Sequence, residues 1–512
     1  MPDTQPGPKP AYTHRQVKRV VTGIMLCVFL SALDQTVVIP AVPAIAADLS
    51  AFGSLSWIVT AYLLTCTAAT PIYGKLSDIY GRRAVLLPAL ALFIAASMLC
   101  GFAQTLPQLI AARALQGLGG AGLLSMAQAA VADVVSPRER GRYQGYLASM
   151  WGVASIAGPL VGGYVTETLS WRWVFWVNLP VGLAAMVLCD RALRSFPVER
   201  RAAKIDTVGA VLLAGGVTGL LLMLSWGGND YPWASSPVIG AGLSGCVLLG
   251  LLLVQERRAA DPILPPRLFG NPTFLRGVLV AFFTSVGLFG ATFLLPLYYQ
   301  LVLGLDAGQA GAMLVPFLFA TVVGAFTGGQ MARRIGRTRT IVVVALAGCV
   351  AAFAGLAVVT GHAPAPAVLA LTVMLGIGIG AAMPSVLMQV QNAAARRDVG
   401  AATGSMLFLR SLGGAFGSTI VGAVLLAYFN SGIEQLGMSG IDLGSLRQGA
   451  GGAAELAGVD GARAALVGGF RACFALCGAL LSIAVLIAAG MQDLQLRSGT
   501  ESDPSQERQR CG

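Results

Sequence analysis

Along this chain the apolar residues fall in long unbroken runs separated by short polar stretches. The runs cover approximately 20–42, 55–75, 84–103, 108–131, 143–165, 172–190, 206–226, 236–255, 274–303, 309–332, 340–360, 366–390, 400–429 and 467–489. A helix of ~20 apolar residues crosses a hydrocarbon core of ~30 Å, and it satisfies its own backbone N–H and C=O groups where water is absent. The pattern therefore predicts an all-α membrane protein with fourteen crossings.

Composition agrees with that reading. With 56% hydrophobic residues, a mean hydropathy of +0.74 and 11% charged residues, the chain cannot cover a soluble surface with polar groups. The formal charge of +11 could point to nucleic acid, but position decides otherwise. With the N-terminus in the cytoplasm, the inner segments hold 28 of the 34 basic residues, from Lys9, Arg15, Lys18 and Arg19 to Arg497, Arg508 and Arg510. Arg172, Arg447, Arg463 and Arg471 fall outside, and Arg113 and Arg410 lie within spans. This bias fixes an even number of crossings with both termini cytoplasmic, in a cell (plasma or inner) membrane, and it leaves no role for nucleic acid. Residues 1–18 lack the small-residue cleavage pattern, so the first run reads as an uncleaved span.

Nine scattered cysteines and two histidines, His14 and His362, make no metal-ligand or catalytic pattern. Cys473 and Cys477, one helical turn apart, read as small apolar filler. No enzyme motif is visible and no Walker-type loop exists, so neither an enzyme nor an ATP-driven pump is expected, and no cofactor or metal.

The chain repeats itself. Gly74 to Arg83 closes the second span and Gly329 to Thr338 closes the tenth, both with Gly, six residues, then Gly-Arg. At an offset of 259, Gly117, Gly141, Gly145, Gly158 and Gly163 map to Gly376, Gly400, Gly404, Gly417 and Gly422. The repeat pairs spans 1–6 with spans 9–14. The expected organisation is a tail at 1–19, a six-helix bundle at 20–190, a linker with two extra helices at 191–273, a second six-helix bundle at 274–490 with an external loop at 430–466, and a tail at 491–512. Substrate would lie between the bundles near mid-membrane.

Four groups of residues carry candidate chemistry. In Gly74–Arg83, glycines permit close backbone approach while Asp78, Arg82 and Arg83 supply charge where helix ends must be held together; it reads as a latch or as an ordinary basic loop. In span 5, Gly158, Pro159, Gly162 and Gly163 lie in a small-residue stretch that gives a bend and a close helix contact, for packing or for mechanism. Asp34 is the one acid placed well inside a span, ~21 Å from the inner end of the first, and Arg113 reaches a similar depth, ~8 Å below the outer end of the fourth. An intramembrane acid ordinarily faces a cavity and works; a static Asp34–Arg113 bridge is the other reading. Arg410 stands ~15 Å above the inner end of the thirteenth span, either as a ligand for an anionic or carbonyl group or as an interhelical donor. With Gln35, Phe289 and Phe293 it makes up the candidate cavity lining.

The Gly74–Arg83 decapeptide resembles the signature between spans 2 and 3 of the major facilitator superfamily, and fourteen spans resemble its drug:proton antiporter subfamily, a multidrug efflux group. The resemblance covers residues ~20–490. It implies that Asp78 and Arg82 stabilise the outward-facing arrangement, with Asp133 at the inner end of span 4 engaging the arginine. It implies that the span-5 stretch is the antiporter motif of exporters and that Asp34, Arg113 and Gly117 belong to proton coupling. Departures are Arg333 where the second copy would carry the acid, Ala154 for a glycine, and Ile39-Pro40 where many relatives have Asn-Val. The expected activity is proton-driven export of small amphiphilic compounds by a monomer that needs only a proton gradient and a lipid bilayer. The alternatives are uptake of a small metabolite on the same scaffold, or a non-transporting receptor or scaffold.

Overall fold

The structure is a computed structural model that describes residues 14–49, 55–135, 137–194, 205–228, 230–362, 364–435 and 460–493. Its long helices follow the apolar runs: α1 (His14–Val37), α2 (Ser56–Tyr80), α3 (Arg82–Phe102), α4 (Leu106–Val134), α5 (Pro137–Thr168), α6 (Asn178–Leu193) and α7 (Thr207–Trp226). They continue as α8 (Ser236–Arg258), α9 (Pro272–Leu301), α10 (Ala307–Ile335), α11 (Thr338–Val359), α12 (Ala365–Ala393), α13 (Val399–Gln435) and α14 (Asp460–Ala489). By length and composition together, twelve helices among the described residues can cross a membrane. Helices α2 and α5 have the length, 25 and 32 residues, but fall outside that set, because Thr, Ser, Tyr and charged residues dilute their apolar stretches.

Helix boundaries follow local chemistry. Pro40 and Pro43 end the regular course of α1, which gives way to a 3-10 turn at Ile39–Ala41 and a short helix, Val42–Asp48. Asp206 and Asn271 cap α7 and α9 by accepting from the Gly209 and Thr273 amides at 2.9 Å. Asp306 and Gln309 form a reciprocal capping box at α10. Between α2 and α3 the chain reverses at Gly81, whose φ of 87° is open to glycine and strained for other residues. Helix covers both ends of the loop expected at 430–466, since α13 runs on to Gln435 and α14 starts at Asp460, and α1 starts within the expected N-terminal tail at His14, while 1–13, 436–459 and 494–512 lie outside the described residues.

Two large apolar cores organise the helices. One gathers residues from Val20 to Leu193, around Tyr62, Phe93, Leu123 and Val131. The other gathers residues from Leu268 to Met491, around Phe274, Phe317, Phe353 and Phe474. A smaller cluster fixes the α7–α8 hairpin, with Leu213, Val217 and Leu252 against Ala68 of α2 and Phe408 of α13.

The repeat is visible as matched glycine contacts. A side chain at Gly117 would overlap the Tyr62 carbonyl, and one at Gly376 would overlap the Phe317 carbonyl, so α4 lies on α2 as α12 lies on α10. At the end of the molecule rich in Lys and Arg, Gly74 of α2 abuts Gly400 of α13, and Gly141 of α5 abuts Gly329 of α10. Each pair is backbone on backbone with no room for a methyl group. Those two crossings clasp the first six helices to the last six at the basic end.

Candidate functional site

Asp34 and Arg113, 79 positions apart, meet in the apolar interior. An Arg113 Nη1 donates to Asp34 Oδ2 at 2.8 Å, and the two side chains are 0% and 1% exposed. Charges so enclosed survive only when their remaining hydrogen-bonding capacity is filled. Gln116 Nε2 and Asn178 Nδ2 donate to Asp34 Oδ1 at 2.7 and 2.8 Å. Arg113 also donates to Gln116 Oε1 at 2.8 Å and to the Ile58 carbonyl at 3.1 Å. Its guanidinium lies 4.5 Å above the Tyr62 ring, a cation–π contact that strengthens out of water. Ser97 accepts from Asn178 at 3.0 Å and donates to the Phe175 carbonyl at 2.8 Å.

The pairing expected from depth alone is thus present, but its setting differs from the expectation. The carboxylate does not face an open cavity in this conformation; five helices seal it. Sequence reading missed Gln116, Asn178, Tyr62 and Ser97. Gln116 carried a signal, since it stands three residues after Arg113 on the same helix face. Asn178, an amide at the start of an otherwise apolar helix, carried one too.

The second constellation lies at the basic end, where α2 turns into α3. Asp78 accepts from the backbone amides of Gly400 and Ala401, at 2.9 and 2.8 Å. These are among the free N–H groups at the start of α13, where the helix dipole favours an anion. Arg82 bridges two carboxylates, Asp78 and Asp133, each at 2.8 Å, and also donates to Ser77. Arg83 turns instead to Asp190 at the end of α6, at 2.6 Å. A side chain at Gly400 would collide with Arg82, Asp78 and the Gly74 carbonyl, so glycines and charges form one contact.

The span-5 stretch divides. Gly158 and Gly162 of α5 abut Thr36 and Val37 of α1, and Thr36 Oγ1 donates across to the Ala154 carbonyl at 3.0 Å. Helix α5 continues through Pro159. Gly163 does not join the contact: nothing lies within 4 Å of where its side chain would be, because it points away from α1.

The cavity candidates do not form one cluster. Gln35 of α1 is half-buried and donates to the Ser31 carbonyl at 3.3 Å. Phe289 is 43% exposed and lies over Gly414, while Phe293, half-buried, lies against Gly422 four residues further along α9. Arg410 of α13 is half-buried on the face that meets α9.

Helices in two glycine-matched sets, clasped at one end and holding a sealed ion pair inside, define a membrane transporter built on an internal repeat. Residues 24–418 match the family model of the Major Facilitator Superfamily, and the chain belongs to that family. It is a multi-pass transporter of small molecules and not an enzyme. It is 37% identical over 419 residues to the multidrug transporter protein MdtP of Bacillus subtilis, covering 81% of this chain and 76% of that one. To multidrug resistance protein 3 of the same organism it is 34% identical over 433 residues, covering 83% of each. The crystal structure of the human organic anion transporter MFSD10 (TETRAN) superposes with a TM-score of 0.62 at 18% identity, over 94% of this chain and all of that one, a likeness of fold alone.

Proposed function

We propose that this protein is a proton-coupled exporter of small amphiphilic compounds working by alternating access, as the names of its multidrug-transporter relatives favour. Counting α2 and α5, which pack among the other helices over full membrane-spanning lengths, it crosses the membrane fourteen times. The basic end is then cytoplasmic and both termini lie inside the cell membrane's inner face. The two six-helix bundles rock about the central α7–α8 insert, the proton gradient supplies the energy, and a monomer with no cofactor suffices.

The observation that carries this reading is the sealed Asp34 network. Asp34 accepts from three donors, and the one buried acceptor beside it without a partner among the described residues is Asn178 Oδ1. Protonated Asp34 becomes a donor, and rotation of the Asn178 amide presents that acceptor to it. Arg113 keeps Gln116 Oε1, the Ile58 carbonyl and the Tyr62 face, so losing the charge of Asp34 loosens the link between α1 and α4 without stranding the guanidinium. Proton occupancy and helix packing are thereby linked. With the basic end clasped, the proton arrives from outside. Its uptake favours release of the Gly74–Gly400 and Gly141–Gly329 crossings, and cargo loading from the cytoplasm favours its departure.

The test is substrate-induced proton release from reconstituted vesicles. Wild type is expected to release protons on addition of an exported dye, and Asp34→Asn, which keeps the shape but cannot titrate, is expected to release none while retaining its expression level. An Asn variant that still exchanges protons for substrate places the coupling elsewhere.

A further inference from the structure

Charge inside the membrane does not balance. Three ionisable side chains stand deep in the helices among the described residues: Asp34, Arg113 and Arg410. The first two neutralise one another at 2.8 Å, and Gln116 and Asn178 fill what remains of the carboxylate. Four other acids within or near the long helices are engaged at the basic end: Asp78 and Asp133 by Arg82, Asp190 by Arg83, and Asp398 by Arg267 at 2.7 Å, while buried Glu256 of α8 accepts from the Leu264 amide. Among the described residues Arg410 has no hydrogen bond and no ion pair.

A guanidinium left alone in a low-dielectric interior is costly unless water or an anion reaches it. Arg410 is half-buried and its nitrogens are not among the enclosed polar atoms, so they are not sealed by the helices around them. Its face of α13 is defined by Gly413, Gly414 and Gly417, three, four and seven positions on. Those glycines rest on Phe282, Phe289 and Val286 of α9. The Phe282 ring lies 6.0 Å from that of Phe416 and 5.3 Å from that of Phe283. The part-exposed Phe289 ring covers Gly414, so an aromatic surface and an unpaired cation share one seam about a helical turn apart.

We propose that Arg410 and Phe289 bind the charged end of the cargo, and that the cargo class is amphiphilic organic anions, a carboxylate or phenolate on an apolar body. The planar guanidinium matches a carboxylate through two parallel hydrogen bonds, and the neighbouring rings take the body. The uncompensated positive charge repels a lipophilic cation from the same seam. The assignment deepens the export reading and rests on it for the direction of movement, but binding is testable without it.

The purified full chain in detergent is titrated with fluorescein, an anion, and with rhodamine 123, a cation on the same ring frame, by fluorescence anisotropy. Wild type is expected to prefer fluorescein. Arg410→Gln is expected to lower the fluorescein-to-rhodamine affinity ratio by about tenfold to a hundredfold, the worth of one charge-assisted contact, and Arg410→Lys by less. Equal or tighter binding of rhodamine 123 by wild type overturns the proposal whatever the variants do, and so does an unchanged ratio in a folded Arg410→Gln. Selective binding of fluorescein without proton-driven export removes the export reading and leaves this assignment standing; export of rhodamine alone does the reverse.

Discussion

At the basic end, two helix crossings share one backbone contact and differ in everything around it. Where α2 meets α13, the Gly74–Gly400 contact is wrapped by Asp78, Arg82 and Asp133, and Asp78 reaches across to two amides of the partner helix. Where α5 meets α10, Gly141 and Gly329 abut just as closely, but Arg333 occupies the position that matches Asp78. One contact across the halves on that side joins a charge to a neutral amide: Arg140 donates to Asn392 Oδ1 at 2.9 Å. The same division recurs deeper, with a saturated ion pair among the first six helices and a lone Arg410 among the last six. Glycine contacts preserve the shape of the repeat, because a single methyl group breaks them. Polar residues are free to diverge once the shape is held, and here the paired intramembrane charges stand among the first six helices.

The largest expected effect breaks that comparison at its deepest point. Removing Arg113 as Arg113→Ala strands the Asp34 carboxylate in an enclosed site and is expected to cost about 3–5 kcal/mol. Arg410→Ala removes a cation that no described group neutralises and strands no partner, so it should cost much less than Arg113→Ala. Thermal unfolding in detergent separates the two, and Asp34→Asn added to Arg113→Ala should restore much of the loss. Equal destabilisation by both single variants would mean that Arg410 has a structural partner.

Next comes the latch. Asp78→Asn loses the Arg82 ion pair and the negative charge at the start of α13, and is expected to weaken the clasped state by about 1–3 kcal/mol. Hydrogen exchange at residues 399–405 should rise accordingly. On the proposed rocking motion, which parts both crossings at once, exchange at 140–146 should rise with it. Asn392→Ala, which removes only a half-buried neutral acceptor, should change either segment by less. A rise confined to 399–405 would make Asp78 a local cap and not a gate residue.

How much of this was legible beforehand depends on the kind of signal. Helix positions and the all-α class were plain, because a run of twenty apolar residues has one fate in lipid. The Asp34–Arg113 meeting was legible from helical rise alone, since an acid and a base at one depth in a thin slab have little else to pair with. Arg82 with Asp133 came through the family signature. Illegible were the groups that complete those pairs: Asn178 and Ser97 are small polar residues in apolar helices, and their partners depend on how helices rotate against each other, which sequence spacing does not encode. The sealing of Asp34 was missed for the same reason. Helices α2 and α5 have the length to cross but not the hydropathy of the other twelve, and polar side chains meet there across helices, Thr65 of α2 at the Ala114 carbonyl of α4 and Thr36 of α1 at the Ala154 carbonyl of α5.

The smallest expected effect sharpens the comparison within α5. Gly158 and Gly163 stand five residues apart in the same exporter-like stretch, yet only Gly158 touches α1. A methyl group at Gly158 would overlap Thr36, whose hydroxyl is already committed to the Ala154 carbonyl at 3.0 Å, so Gly158→Ala should push α1 from α5 at a cost of about 1–3 kcal/mol. At Gly163 the added methyl meets nothing within 4 Å, and replacing a mid-helix glycine by alanine favours the helix by roughly 0.5–1 kcal/mol. Gly163→Ala is therefore expected to melt at or slightly above the wild-type temperature and to export at the wild-type rate. Melting curves and dye export on the two variants side by side decide it. If Gly163→Ala melts normally but fails to export, the glycine is needed in the conformation with the basic end open, and the stretch acts as a unit in motion; wild-type export confines its role in the α1 contact to Gly158 and Gly162.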